Sequence, residues 1–402
     1  MDKKITIWLF NDSFYPMIDG VVSVVHNYWI ELSKYANVIV FAPRYIWKDY
    51  DDTKFPYKVV RCASLQIPFF DYALPIPQLD ISFKNKLEKY KLDIVHVHSP
   101  FTIWRIWLQY AQNHNIPCIA TMHSQFKQDL QKEIKSEFLS NFINENLIVN
   151  FFELCDECRA VNSEVARIFH EDYNYKKKPR VMNNATEMQP VPDIKFAKNF
   201  INKKYNIWDW EKVFLFVWRI NTLKNILFIA DAIKILKGKR PWLKFKMLYV
   251  WNWEDEWKLK RYVKKMGLND NIILCWRCSD RQELAYYYAR ADLFLFPSLY
   301  DASSIVQIEA ASQDTPWIFL KWAATAATIT DNVNWFLSWA NPEEYANKII
   351  EIIEDKELYN KVSQNAKKDL YVNRESNIKE VYNLYMENIL IKKKVNDSKS
   401  GL

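Results

Sequence analysis

The chain has 402 residues, 50% hydrophobic and 26% charged, a balance that suits a globular protein and a length that accommodates two domains. Its 55 basic and 48 acidic side chains leave a net charge of +7, a mild bias toward anionic partners that is spread too thinly along the chain to argue for nucleic acid. No stretch of about 18 apolar residues occurs, and Met1-Asp2-Lys3-Lys4 leads straight into a strand-like segment, so neither a membrane span nor a signal peptide is expected and the cytoplasm is the default location.

Short apolar runs alternate with helix-periodic segments, and the series starts over in mid-chain. The first half offers strands at Ile5–Ile7, Val38–Phe41, Asp93–Val97, Cys118–Thr121 and Arg159–Val161. The second offers Val213–Val217, Phe245–Val250, Ile272–Leu274, Leu293–Phe296 and Ile318–Leu320. Strands that alternate with helices predict parallel sheets covered on both faces, and two series predict two Rossmann-like domains in an α/β chain. The Pro-containing stretch Gln189–Asp193 marks the boundary, giving an N-terminal domain over 1–190 and a C-terminal one over 191–375. Asn341-Pro342-Glu343-Glu344 opens a late helix with a capping Asn, a Pro in the first turn and two acids. Residues 376–402 are expected to form a helix that returns to the N-terminal domain and ends in a frayed basic tail at Lys392-Lys393-Lys394. In such folds ligands bind beyond the carboxyl ends of the strands, so a cleft between two facing sheets is the expected site.

The composition has one anomaly. Ordinary usage would give about 28 glycines in a chain of this length, but there are 4, against 17 tryptophans. Several tryptophans stand where a strand ends or a turn begins, as Trp218 after Val217, Trp251 and Trp253 after Val250, Trp276 after Cys275, and Trp335 after Asn334. Those positions favour a residue that tolerates positive φ or lets the backbone come close, which is the property of glycine. The sequence therefore reads as one in which many tryptophans stand for glycines encoded by UGA, in an organism that decodes UGA as glycine. The best candidates are Trp8, Trp104, Trp107, Trp218, Trp251, Trp253, Trp276, Trp322 and Trp335, whereas Trp242, Trp29 and Trp317 are the ones that fit as true tryptophans. The alternative is a Trp-rich chain with aromatic clusters serving as core or as carbohydrate platforms.

Two C-x-x-C pairs, Cys155/Cys158 and Cys275/Cys278, lie much farther apart than the about 15–20 residues usual in zinc ribbons, and both adjoin apolar runs, so they are expected to be buried, reduced thiols.

Four motifs in order carry a specific resemblance: Asp12-Ser13-Phe14-Tyr15-Pro16-Met17-Ile18-Asp19-Gly20, Met122-His123-Ser124, Trp218-Arg219, and Phe296-Pro297-Ser298 followed by the span from Asp301 to Glu309. Together they resemble a retaining glycosyltransferase of family 4 with the GT-B fold, two facing Rossmann-like domains with a cleft between them. The last span is written D-x7-E where the family has E-x7-E. The resemblance implies transfer of a hexosyl unit from a nucleotide diphosphate sugar to an acceptor hydroxyl of a glycolipid, polysaccharide or other glycan. A catalytically inactive GT-B-like binding protein and a Rossmann-fold dehydrogenase are the alternatives.

A departing nucleoside diphosphate needs cations or oriented N–H groups. Arg219 and Lys224 follow a strand, and the resemblance assigns that pair to the diphosphate, with bidentate Arg and point-charge Lys suited to the task. Ser304 and Ile305 stand at the start of a helix-like run, where unpaired N–H groups and the helix dipole bind phosphate. By resemblance, Glu309 accepts hydrogen bonds from the ribose, Asp301 faces the donor sugar, His123 lies near that sugar and the reacting centre, and the loop of Asp19 and Gly20 closes over the phosphates. Asp314 replaces a usual glycine and tolerates a left-handed turn. No D-x-D motif stands at a strand end, so the expected chemistry is metal-independent and uses no cofactor beyond the donor itself. His96 is read as structural and His98 as lining the acceptor side. Phe126–Lys132 reads either as a basic amphipathic surface near a lipid-linked acceptor, with peripheral contact at the inner face of the plasma membrane, or as a plain solvated helix.

Overall fold

The computed structural model describes residues 4–17, 20–45, 50–66, 73–99, 104–134, 136–217, 224–250, 256–275, 278, 280–298, 304–326 and 328–400. It divides into two compact units, residues 1–184 with 374–402 and residues 185–373.

The first unit holds strands β1 (Thr6–Phe10), β2 (Asn37–Pro43), β3 (Lys58–Cys62), β4 (Ser64–Gln66), β5 (Ala73–Pro75), β6 (Ile94–Val97), β7 (Cys118–Met122), β8 (Glu157–Ala160) and β9 (Arg180–Val181). Seven of them form an all-parallel sheet in the order β3-β2-β1-β6-β7-β8-β9, while β4 and β5 make a separate antiparallel pair. Its helices are α1 (Gly20–Leu32), α2 (Ile81–Leu87), α3 (Trp104–Asn113), α4 (Phe126–Ile134), α5 (Glu137–Ile143), α6 (Asn150–Leu154) and α7 (Ser163–Arg167).

The second unit holds α8 (Ile194–Tyr205), β10 (Lys212–Val217), α9 (Ile226–Lys239), β11 (Phe245–Val250), α10 (Glu256–Met266), β12 (Ile272–Cys275), α11 (Arg281–Arg290), β13 (Leu293–Leu295), α12 (Ile305–Ser312), β14 (Trp317–Leu320), β15 (Phe336–Ser338), α13 (Pro342–Glu354) and α14 (Lys356–Leu370). Its sheet runs β12-β11-β10-β13-β14-β15, again all parallel. This is the doubly wound order of Rossmann folds, with the strand direction of growth reversing beside β10. Both sheets thus confirm the expected α/β class. The core strands are continuous apolar runs because helices cover both faces: Val213 to Val217 are wholly buried. Helix ends follow local chemistry. Asp193 caps α8 by accepting from Phe196 N at 2.8 Å, Asn206 ends it in the left-handed region, and Asn341 caps α13 through Glu343 N and Glu344 N.

Two expectations are corrected. The boundary falls at 184/185 rather than 190/191, because Thr186 bridges Asn373, its N–H donates to Val372 O at 3.1 Å, and Met188 joins the core of the second unit. The second unit likewise ends at Asn373 rather than 375. From there α15 (Arg374–Ser400) belongs to the first unit and buries Ile378, Val381, Leu384 and Tyr385. The tail does not fray at Lys392: the helix continues, with Lys392 Nζ on Asp156 at 2.6 Å and Asn396 Nδ2 on Asn115 O at 3.1 Å.

The tryptophans divide sharply by environment. Trp8, Trp29, Trp107, Trp317 and Trp335 are fully buried, and each indole N–H lacks a hydrogen-bond partner among the described residues. A buried indole ordinarily finds one. Trp8 lies inside β1 and Trp107 inside α3, and their rings pack 4.7 Å apart where strand and helix meet. Trp322 is 87% exposed at φ +71°, a conformation that disfavours every residue with a Cβ. Asp314 occupies the left-handed region at φ +57° and its carboxylate takes Lys367 Nζ at 2.7 Å. All six cysteines are buried and unbridged. Trp218, Trp251, Trp253 and Trp276 lie outside the described residues, as does the side chain of Trp104.

The anchor of α15 is testable. Arg374 Nη2 lies 2.9 Å from Glu31 Oε1, a carboxylate only 6% exposed. Arg374→Ala is expected to lower the urea stability of the first unit by about 1–3 kcal/mol, the cost of withdrawing a charged donor from a buried acceptor.

Candidate active site

Parallel order puts every strand's carboxyl end on one edge, and the reversal between β10 and β13 opens a crevice there. After β10 the chain passes through 218–223, so Arg219 lies outside the described residues. Lys224 sits at the turn into α9. Asn225 beside it adopts φ +58° and donates from Nδ2 to Pro297 O at 3.1 Å, tying this turn to the Phe296-Pro297-Ser298 segment after β13. Asp301 lies outside the described residues. Ser304 precedes α12 in extended conformation without capping it, and its Oγ is buried with no hydrogen-bond partner among the described residues. Ile305 is the first residue of α12, so its N–H belongs to the unpaired set of a helix start. Crevice, helix start and idle hydroxyl therefore coincide.

Glu309 lies one turn farther along α12 and is buried to 2% exposure. Tyr288 OH of α11 donates to its Oε2 at 2.9 Å, and Arg281 Nη2 donates to its Oε1. Arg281 Nε also donates to Glu187 Oε1 at 2.7 Å. Burial together with the Glu309 charge pushes the Tyr288 phenol well above its usual range. Burial pulls the Arg281 guanidinium down, but Glu309 and Glu187 outweigh it and raise the group overall.

In the first unit the corresponding reversal lies between β1 and β6. Gly20 begins α1, and Asp19 lies outside the described residues. Ser99 Oγ, just past β6, donates to the carboxylate of Asp12, just past β1. His123 follows β7 directly and is 8% exposed. Its Nε2 lies 2.9 Å from His98 Nδ1, while His96 Nδ1 meets Tyr385 OH at 2.5 Å and His96 Nε2 meets Thr121 Oγ1 at 2.7 Å. His96 is thus a fully bonded structural residue, and His98 is a partner of His123. Behind them Arg159 is completely buried, donates from Nη2 to Tyr28 OH at 2.9 Å and stands over the Tyr28 ring. Burial, with Arg159 second, lowers His123 to about 3. Burial also holds His96 and His98 well below the usual range, with Arg159 and the repulsion each imidazole would feel from a protonated neighbour adding to it. All three imidazoles are neutral at pH 7.

Tyr288, Arg281 and Arg159 carry no motif, and sequence reasoning passed them over. A buried Arg in the apolar strand of β8 was the one signal present.

The family model described as Glycosyltransferase Family 4 matches residues 18–189, and Glycosyl transferases group 1 matches residues 197–369. Alpha-monoglucosyldiacylglycerol synthase of Streptococcus pneumoniae is 25% identical over 331 residues, 78% of this chain and 70% of that protein. The Acholeplasma laidlawii protein of the same name is 22% identical over 403 residues, 94% of each chain. Among solved structures, Anabaena HepE in complex with UDP and glucose superimposes with a TM-score of 0.71 at 14% identity, covering 94% of this chain and 98% of its own.

The histidine cluster predicts an acid sensitivity. Folded, the imidazoles stay neutral down to far below pH 6.5, whereas unfolded they take protons below about 6.5. The unfolded state then binds more protons, so stability is present above 6.5 and is lost on acidification. Urea titrations between pH 7 and 5 are expected to show a slope approaching about 1.4 kcal/mol per pH unit for each histidine. In His98→Asn about a third of that slope disappears.

Proposed function

Because the chain is a family 4-like glycosyltransferase, we propose that it moves a hexosyl unit from a nucleotide diphosphate sugar to an acceptor hydroxyl, with retention at the anomeric carbon. The observation that carries this reading is the start of α12, where unpaired N–H groups and the idle Ser304 Oγ adjoin the strand-order reversal and Glu309 follows within a turn. The acceptor oxygen bonds to the anomeric carbon on the face from which the diphosphate oxygen departs, and the acceptor proton leaves with the diphosphate. Arg219, Lys224 and the N–H groups of Ser304 and Ile305 take up the charge that develops on the leaving group, without a metal ion. Glu309 holds the ribose, Asp301 faces the sugar, and neutral His123 offers the sugar a hydrogen bond with no charge of its own. Asp19 and Gly20 close over the phosphates.

The two diacylglycerol-glucosylating relatives and the UDP- and glucose-bound neighbour favour a UDP-hexose donor and a glycolipid acceptor. No helix among the described residues is long and apolar enough to cross a membrane. A lipid acceptor is met instead by peripheral contact, for which the exposed Phe138 and Phe142 of α5 offer apolar surface. Phe126 of the neighbouring α4 is buried. Offered a panel of UDP and GDP hexoses with diacylglycerol-based glycolipids in vesicles, the enzyme should release nucleoside diphosphate and form an α-linked product. Arg219→Ala and Glu309→Ala should each lower kcat/KM by about 100-fold or more. Inversion at the anomeric carbon, or no turnover with any donor, would refute the reading.

We also propose that Trp8, Trp107, Trp322 and Trp335, with Trp104, Trp218, Trp251, Trp253 and Trp276, stand for glycine encoded by UGA. One tryptophan at positive φ, Trp322, supports it, whereas the unpartnered buried indole is shared by Trp29 and Trp317 and does not separate the two classes. UGA codons at these positions, and an intact mass of the protein from its own cells lower than the written chain requires, are the expected results. UGG codons there overturn it.

A further inference from the structure

We propose that Tyr288 and Arg281 are positioning residues that set Glu309 for recognition of a ribose, so that the enzyme selects ribonucleotide over deoxyribonucleotide donors. The inference rests on the reading of Glu309 as the ribose-binding residue.

A carboxylate rotates about its last bond unless its oxygens are fixed, and it can accept about four hydrogen bonds. Here each Glu309 oxygen has one protein donor: Tyr288 OH at 2.9 Å on Oε2, and Arg281 Nη2 on Oε1. The carboxylate plane is thereby determined, and the remaining lone pairs stay available for a vicinal diol. Both donors are themselves held. The Tyr288 ring is fully buried, stacks on Phe294 of β13 at 5.7 Å, and its carbonyl accepts Thr315 Oγ1 at 2.6 Å. Arg281 is steadied in turn by Glu187, whose Oε1 accepts from Nε at 2.7 Å. The phenol stays protonated throughout the working range, so it acts only as a donor. Arg281 also offsets a negative charge that would otherwise be buried alone at 3% exposure.

A ribose diol donates to this carboxylate, whereas a deoxyribose leaves one acceptor of a buried carboxylate unpaired, which is the kind of mismatch that gives steep discrimination. Neither Tyr288 nor Arg281 needs to touch the sugar for this to hold. Their contribution is to the orientation of Glu309, and it should appear in the ratio of the two donors rather than in overall activity.

The test compares UDP-hexose with its 2′-deoxyuridine counterpart in the full-length enzyme, the Tyr288→Phe and Arg281→Gln variants, and Glu309→Gln as reference. The native enzyme should favour the ribo donor strongly in kcat/KM, and Glu309→Gln should abolish most of that preference. Tyr288→Phe should raise the ribo donor KM and cut the preference about tenfold, with a smaller change in kcat and in acceptor KM. Arg281→Gln should act in the same direction. Far-UV circular dichroism and thermal melts identify a misfolded variant, and Tyr288→Phe keeps the ring that packs on Phe294. If the native enzyme does not discriminate, the ribose role of Glu309 fails. If it discriminates and Tyr288→Phe does so equally with an unchanged donor KM, the positioning role is overturned while that reading stands.

Discussion

Parallel strands can be joined only by chain that returns across a face of the sheet, so every strand of the two large sheets must end at the same edge as its neighbours. That single constraint does most of the assembly. It brings the turn after β10, the segment after β13 and the start of α12 to one edge of the second sheet, although they come from stretches far apart in sequence. It does the same for the ends of β1, β6 and β7 in the first, where Asp12, Ser99 and His123 stand. The apolar runs are needed to hold the sheets under the helices that cover both faces, yet the candidate site residues stand where those runs stop.

The two units handle charge in opposite ways. In the first, three imidazoles are packed together beside a buried arginine, and the environment strips them of protons and makes them dipoles. In the second, the carboxylate of Glu309 remains in the interior because an arginine and a tyrosine meet it. A neutral donor and acceptor suits a sugar, which carries no charge, and an ionic arrangement suits a nucleotide, which does. Each solution has a cost in stability under the wrong conditions, acid in one case and loss of a partner in the other.

How much of this was legible depended on length scale. The runs Val213–Val217 and Phe245–Val250 announced themselves because a doubly covered strand is apolar throughout. β15 and β9, three and two residues long, offered too little pattern, and β3 mixes Lys58 and Arg61 with its apolar residues because it lies at the sheet edge. His123 and Glu309 could be picked out by the motifs that carry the family resemblance, Met122-His123-Ser124 and the span from Asp301 to Glu309. Tyr288 and Arg281 could not, since they precede Glu309 by 21 and 28 residues and meet it only once α11 and α12 pack together. Trp8 and Trp107 show another limit: their common feature is a strand and a helix brought close, a property of packing that no local pattern encodes.

The pairing of Thr186 with Asn373 has an architectural meaning. The second unit is an insertion in the first, entered after Asn184 and left before Arg374, and its two ends are stitched to each other. Such a module has a closed outline: its amino and carboxyl ends emerge side by side. It can therefore be cut out, exchanged for a relative's or circularly rejoined without opening its sheet. The host fold, by contrast, is not complete during synthesis until the second unit has emerged and α15 has been made, because that helix belongs to the first domain.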